Sequence, residues 1–277
     1  MSPASSLSPA VELREVSFAY PDGTRALEDV DLSVAVGESV GIVGQNGSGK
    51  STLVRHLNGL LRAGSGEVLV EGRPVGRRHV AELARTVGLV FQNPDRQIFA
   101  GSVRAEVAFG PRNLGRRGAD LEADVAEAVS AVGLEAQLDT NPYDLGFSRR
   151  KLLSLASILA MRTPIVVLDE PTTGQDARGV ARVQAIVRDL EAAGRTVIAI
   201  SHDMRFVAES FGRVVVMRAG SIVLDGTPGQ VFDTVNLATL ASTWLEPPLP
   251  ALVGARLGLG PTPTETALVH ALRAGPP

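Results

Sequence analysis

The sequence predicts an α/β protein whose main sheet is mostly parallel. Three observations carry this. First, Val40-Gly41-Ile42-Val43 is a short apolar strand that runs straight into Gly44-Gln45-Asn46-Gly47-Ser48-Gly49. Apolar residues at helical spacing follow it, namely Leu53, Val54, Leu57, Leu60 and Leu61. Second, the tetrads Ile165 to Leu168, Val197 to Ile200 and Val214 to Met217 have the unbroken hydrophobicity of strands covered on both faces. Third, the segment from Ala177 to Ala193, between the first two tetrads, has the length and pattern of a helix and fits a right-handed crossover.

The elements follow in order. Residues 1–10 are rich in Ser, Pro and Ala and read as a loose leader. Val11 to Ala19 alternates as a half-buried strand ending at the turn Pro21-Asp22-Gly23, and Leu32 to Val36 alternates again before Gly37-Glu38. Beyond the glycine loop and its helix, Glu67 to Val70 is a strand closed by Glu71-Gly72. The arginine-rich stretch 73–85 reads as a solvated face. Thr86 to Phe91 is a buried strand ending at Gln92-Asn93-Pro94. From residue 94 to about 163 the apolar spacing becomes helical (Val103, Val107, Leu121, Val125, Val129, Val132, Leu134), with breaks expected at Pro111 and Gly133. Ser221 to Leu224 reads as a last hairpin strand. After Leu245 the chain turns Pro-rich, and only Thr264 to Leu272 reads as a helix in an otherwise loose tail.

Composition sets outer bounds. A chain of 277 residues suggests one large domain or one and a half. The net charge of −3 excludes a generally basic nucleic-acid coat, so no nucleic-acid partner is expected. With no cysteine there is no disulfide framework, zinc–thiolate site or thiol nucleophile. The longest nearly apolar run, Leu152 to Met161, is half a membrane span and is bounded by Arg149-Arg150-Lys151 and Arg162-Thr163-Pro164. The first ten residues lack the basic and apolar regions of a secretory signal. The expected class is a soluble cytoplasmic protein able to sit on a membrane partner.

Two motifs carry chemistry. Gly44-x-x-x-x-Gly49-Lys50-Ser51 matches the phosphate-binding P-loop pattern, placed between a strand and a helix. Its glycines let successive N–H groups curl toward phosphate oxygens, and the helix turns its positive end to the same anion. Lys50 supplies a mobile cation, and the Ser51 hydroxyl is a hard ligand suited to Mg²⁺. The second motif, Ile165-Val166-Val167-Leu168-Asp169-Glu170, is an apolar strand delivering two carboxylates to the carboxyl edge of the sheet. Asp169 suits the metal, and Glu170 suits orienting and deprotonating a water.

With these in place, residues 10 to 230 resemble the ATPase subunit of an ATP-binding-cassette (ABC) transporter. That resemblance implies a P-loop NTPase with a RecA-like sheet, an antiparallel N-terminal β subdomain, a helical insertion and a short C-terminal extension. It implies a cassette over 10–242 with its helical part at about 94–163, and an extension over 243–277. It assigns ATP to residues Gly44, Gln45, Asn46, Gly47, Ser48, Gly49, Lys50, Ser51 and Thr52, with Tyr20 stacked on adenine. It assigns Mg²⁺ to Ser51, Gln92 and Asp169; the γ-phosphate to the sensing residue Gln92 and the switch histidine His202; and the catalytic base to Glu170. Asp176 matches the D-loop aspartate at an interface with a second cassette. A lone Tyr, Gln or His carries little weight, but in this order they reinforce one another.

The stretch Val90 to Phe99 (VFQNPDRQIF) is similar to the Q-loop region of energy-coupling-factor (ECF) ATPases, including the cobalt and nickel uptake type, and Glu246 to Leu259 is similar to their C-terminal segment. This resemblance implies a second ATPase, identical or different. It also implies a transmembrane coupling subunit, a substrate-binding membrane subunit and a peripheral place on the cytoplasmic membrane face. The implied function is vitamin or transition-metal import. The rivals are another ABC importer or exporter, a non-transport ABC ATPase, and a P-loop kinase or GTPase.

One departure stands out. Where the family signature Leu-Ser-Gly-Gly-Gln belongs, this chain has Leu145-Gly146-Phe147-Ser148-Arg149. Either Gly146 and Ser148 still grip the γ-phosphate of ATP held by the second cassette, or that composite site is weakened and a different ATPase with an ordinary signature completes the active one. The latter, an asymmetric heterodimer, is the favoured expectation.

Overall fold

The structure is a computed structural model that describes residues 8–274; most of the expected leader, residues 1–7, lies outside it. The described chain forms two compact units, residues 8–78 with 200–274, and residues 79–199.

In the first unit, β1 (Val11–Ala19) pairs antiparallel with β2 (Arg25–Val34) on one side and β4 (Ser65–Val70) on the other. A short β5 (Arg73–Pro74) extends β4. Strand β2 starts seven residues before the expected Leu32, because register shifts along β1–β2 and a left-handed Asp29 (φ 43°) break the alternation. The fully buried β3 (Ser39–Gly44) leads through the glycine loop into α1 (Lys50–Leu57). That helix is shorter than its apolar spacing predicted. It ends at Asn58, and Gly59 at φ 75° turns the chain, leaving Leu60 exposed rather than on the helix face.

The second unit opens with α2 (Val80–Leu83) and β6 (Val87–Val90). Three helices follow: α3 (Val103–Asn113), α4 (Gly118–Val132) and α5 (Phe147–Leu159). Their apolar faces (Val107, Ala108, Leu121, Val125, Val129, Leu153, Ala156) meet in one core. Pro111 does not break α3, contrary to expectation: its ring costs the turn before it one N–H bond, to the carbonyl of Val107, and the helix runs on to Asn113. Gly133 does end α4, in the left-handed conformation at φ 67°. Strand β7 (Ile165–Asp169), helix α6 (Ala177–Ala192) and strand β8 (Thr196–Ile200) complete this unit, with β6 and β7 parallel in the order β8-β7-β6.

The chain then returns to the first unit with α7 (Met204–Ser210), β9 (Arg213–Arg218) and β10 (Ser221–Gly226). Strand β9 runs parallel to β3 and pairs antiparallel with β10, the expected hairpin. The Pro-rich C-terminal stretch is more ordered than predicted. Before it come α8 (Pro228–Val231) and α9 (Leu237–Ser242); the stretch itself forms α10 (Leu249–Leu257) in addition to the expected helix, α11 (Glu265–Ala274). The helix α10 was missed because its prolines look like breakers, yet Pro248 and Pro250 stand at the helix start, where a missing N–H costs nothing. The strands are mostly parallel, with an antiparallel N-terminal sheet and a helical block, as the sequence predicted.

Candidate functional site

The first unit carries the phosphate loop. Strand β3 is buried along its whole length, as a parallel strand must be to face helices on both sides. Its last residue, Gly44, admits no side chain: a Cβ there would lie 2.4 Å from the Met217 carbonyl oxygen. Gly49 is the N-cap of α1 at φ 102°, and its Cβ would lie 2.4 Å from the Ala26 carbonyl oxygen. The loop is thereby clamped between the backbones of β2 and β9. Gln45 is half-buried and Asn46 and Gly47 are exposed, whereas Ser48 is buried and its carbonyl accepts the Gly220 N–H at 3.1 Å.

Lys50 is buried and folds back over the loop. Its Nζ donates to the carbonyls of Gly44 (2.7 Å) and Gln45 (2.8 Å). That holds a cation against the loop backbone at the N-terminus of α1, where a helix favours an anion. Ser51 is half-buried at the start of α1. The Thr52 hydroxyl shares a 2.9 Å hydrogen bond with the hydroxyl of Tyr20, whose half-buried ring stands edge-on to Phe18 at 5.0 Å. His202 is exposed just after the buried Ser201, whose N–H donates to Ile42 O at 3.2 Å.

The second unit carries the acids. Strand β7 buries every residue and ends at Asp169; Glu170 follows, also buried, at φ 54°. A left-handed non-glycine residue is strained by about 1–3 kcal/mol, and such strain concentrates where a side chain must be aimed. The Thr173 hydroxyl donates to Glu170 Oε2 at 3.4 Å. Gln92 is exposed beyond β6, and its carbonyl accepts from Lys151 Nζ at 3.0 Å. Asp176 caps α6, its carboxylate accepting the Gly179 N–H at 2.8 Å.

The divergent signature forms the start of α5, with Gly146 as N-cap and no acidic residue in the first turn. Phe147 turns its ring onto Gly174, where a Cβ would stand 2.8 Å from the ring edge. Ser148 and Gln175 bond reciprocally: the hydroxyl donates to Gln175 Oε1 at 2.8 Å, and Gln175 Nε2 donates to the Ser148 carbonyl at 3.0 Å.

Sequence reasoning missed three of these groups. Gln175 stands beside Asp176 and has no motif of its own in the sequence. Gln97 knits the Gln92 segment to α5, accepting from Phe91 N–H and donating to Ser154 O and Ser157 Oγ. Lys151, which borders an apolar run in the sequence, is buried, and burial pushes its ammonium down to about 8 against the pull of Glu170 and Asp169. The signal was present: helical spacing puts Lys151 on the face of Ser154 and Leu155.

Among the described residues no cluster of three or more His, Cys, Asp or Glu is placed to hold a metal. A magnesium ion that arrives with a nucleotide needs no such cage, since phosphates and waters fill most of its octahedron. The Ser51 hydroxyl of the first unit and the buried Asp169 carboxylate of the second are each a hard oxygen of the kind such an ion takes.

Comparison with known proteins agrees with this chemistry. The family profile described as ABC transporter matches residues 27–173. The energy-coupling factor transporter ATP-binding protein EcfA of Methanocaldococcus jannaschii is 44% identical over 228 residues, 82% of either chain. The structure of cbiO1 from Clostridium perfringens, part of the ABC transporter complex cbiONQ, aligns with a TM-score of 0.74 at 32% identity, covering 85% of this chain and 95% of that one. The dimeric cassette MJ0796, in a post-hydrolysis state with ADP and Pi, aligns with a TM-score of 0.72 at 25% identity, covering 78% and 98%. A glycine loop clamped between backbones, an acid pair at a buried strand end and these relatives lead to one conclusion: the chain belongs to the ABC transporter family and is one of its ATP-hydrolysing cassettes.

Proposed function

We propose that this cassette powers a membrane uptake transporter of the energy-coupling-factor type, importing a vitamin or a transition-metal ion. The observation that carries the reading is the 44% identity to an EcfA protein over 82% of the chain, joined to the Gln92–Phe99 stretch held on α5. The chain itself has no helix long and apolar enough to cross a membrane among the described residues. In this reading it sits peripherally on the cytoplasmic face, pairs with a second cassette and engages a coupling subunit and a substrate-binding membrane subunit. The dimeric MJ0796 and the cbiONQ complex named for its relatives support that assembly. The cassette would occupy 10–242 and the C-terminal extension 243–277.

The proposed roles follow from the chemistry of each group. Residues Gly44 to Thr52 hold the triphosphate of ATP, Tyr20 packs on adenine, and Lys50 and His202 neutralise charge on the γ-phosphate. Ser51, Asp169 and Gln92 serve Mg²⁺, which would further neutralise the β- and γ-oxygens. Glu170 takes a proton from water as its oxygen bonds to the γ-phosphorus; the bond to the β-phosphate oxygen breaks and ADP leaves. Gly146, Ser148 and Asp176 face the second cassette. The test is Glu170→Gln in the purified chain. ATP binding is expected within about twofold of the parent and turnover down by about 10²-fold or more; unchanged turnover refutes the base. Co-purification with a multi-span membrane protein tests the ECF reading, and its failure in a membrane extract leaves the coarser ABC assignment standing alone.

A further inference from the structure

The second unit holds a cavity of about 280 Å³ to which none of the roles above belongs. It is lined by the second half of α4, the last residue of α5 and the last turns of α6. Ala128, Leu159, Ile186 and Leu190 supply apolar surface. Charged side chains line it as well, and three of them satisfy one another. Asp124 accepts from Arg162 at 2.5 Å and from Arg116 at 2.6 Å, and Glu127 accepts from the same Arg162 at 2.5 Å. The other two, Arg195 and Asp189, have no ion pair among the described residues.

Arg195 is the unusual one. Its Nε donates to the Thr163 carbonyl at 2.7 Å, but its Nη2 is buried and finds no acceptor. Burial lowers the guanidinium to about 10, and the charge of Arg162 pushes the same way. It is still a cation at neutral pH. A buried cation without a carboxylate is costly, and a neutral side chain would pack there without that cost. Buried donors in native proteins are nearly always paired, so an orphan donor on a cavity-lining side chain points to an acceptor from outside the chain.

The remaining charges narrow the kind of acceptor. A planar guanidinium matches a carboxylate. A simple anion, however, would also face the carboxylates of Glu127 and Asp189. A molecule with both charges avoids that conflict, since its cation can face the uncommitted Asp189. The volume is about nine times the share of one water, the size of a branched-chain amino acid.

The geometry points to a binding site for a small apolar α-amino acid in this cavity, its carboxylate on Arg195, its ammonium on Asp189 and its side chain on Ala128, Leu159, Ile186 and Leu190. The site goes beyond ATP hydrolysis and does not depend on the roles proposed for the nucleotide site.

The test is a ligand-observed NMR titration of the purified full-length chain at neutral pH. Three probes share one carbon skeleton: leucine, 4-methylpentanoate, which lacks the ammonium, and isopentylamine, which lacks the carboxylate. Leucine is expected to bind with a Kd below about 1 mM. Each of the other two should bind about tenfold more weakly or worse, the weight of one charge-assisted contact. Asp189→Asn, at an exposed position where folding is not at stake, should weaken leucine about tenfold without weakening 4-methylpentanoate. Arg195→Gln, which keeps a donor for the Thr163 carbonyl, should weaken leucine about tenfold without weakening isopentylamine. No leucine binding at about 10 mM, equal affinity for the three probes, or parent-like leucine affinity in either variant overturns the proposal. Should Arg195→Gln fail to fold, Asp189→Asn and the probe series decide alone.

Discussion

Replacing Gly174 by alanine tests how this chain accommodates its unusual signature. Gly174 lies at φ 75°, and a Cβ would stand 2.8 Å from Cδ1 and Cε1 of Phe147. The left-handed backbone alone costs an alanine about 1–2 kcal/mol. The obstacle is the edge of a half-exposed ring, so Phe147 can swing away at the cost of an unfavourable rotamer, about 0.5–1.5 kcal/mol. Together these give about 1.5–3.5 kcal/mol, or a fall of roughly 3–14 °C in Tm for a chain of this size. Thermal unfolding of Gly174→Ala, Phe147→Ala and the double variant reads the parts. The double variant loses the ring term but keeps the backbone term, so the two changes should be non-additive by about 0.5–1.5 kcal/mol. Strict additivity would mean that the ring does not rest on Gly174. A Gly174→Ala variant that melts with the parent would mean that the turn is not left-handed.

Gly49→Ala should lower Tm by several degrees and abolish binding of a fluorescent ATP analogue, since the new methyl meets the Ala26 carbonyl oxygen at 2.4 Å with β2 behind it. Lys50→Ala should weaken that binding by about tenfold or more with little change in Tm, because in its proposed role the charge it removes is the one that meets phosphate; parent-like affinity would exclude Lys50 from the site. Acid stability is set in part by Asp124, whose side chain is 1% exposed and accepts from Arg116 (2.6 Å) and Arg162 (2.5 Å). Burial alone would raise its carboxyl, but the two guanidinium bonds bring it below the ordinary range. Its stabilisation is then complete above about pH 4 and is lost as pH falls through the lower folded-state value. Urea titrations from pH 5 to pH 2 should show the parent losing stability faster than Asp124→Asn; parallel curves would refute the argument.

What the sequence made legible is what short-range chemistry demands. A phosphate loop needs its glycines, lysine and serine within eight residues, and an acid pair at a strand end needs only four apolar residues before it. What stayed hidden depends on contacts between distant positions. Ser148 meets Gln175 across 27 residues, and Lys151 meets Gln92 across 59. No pattern along either segment announces such pairs. Element ends failed for local reasons that a pattern of apolar residues overlooks: Asn58-Gly59 stopped α1 before its apolar spacing ran out, and Pro111 was carried within α3. The Pro-rich extension misled because proline at a helix start and proline as a breaker look alike in composition.

The two readings of the divergent signature can now be weighed by magnitude. If Ser148 is to grip a phosphate on a second cassette, its hydroxyl must leave Gln175, a neutral bond whose net contribution is about 0.5–1.5 kcal/mol. A charge-assisted bond to phosphate is roughly twice as strong, so the exchange favours the phosphate. The start of α5 also carries no acidic residue to compete with an anion. Ser148 is therefore no obstacle. Phe147 is the residue that decides, since its ring is 42% exposed at the first position of the helix and is parked on Gly174. If that parked position clears the helix start, a pair of identical chains hydrolyses ATP at two equivalent sites. If the ring must move, Phe147→Gly raises turnover of the chain alone, and a partner cassette with an ordinary signature has the same effect without any substitution.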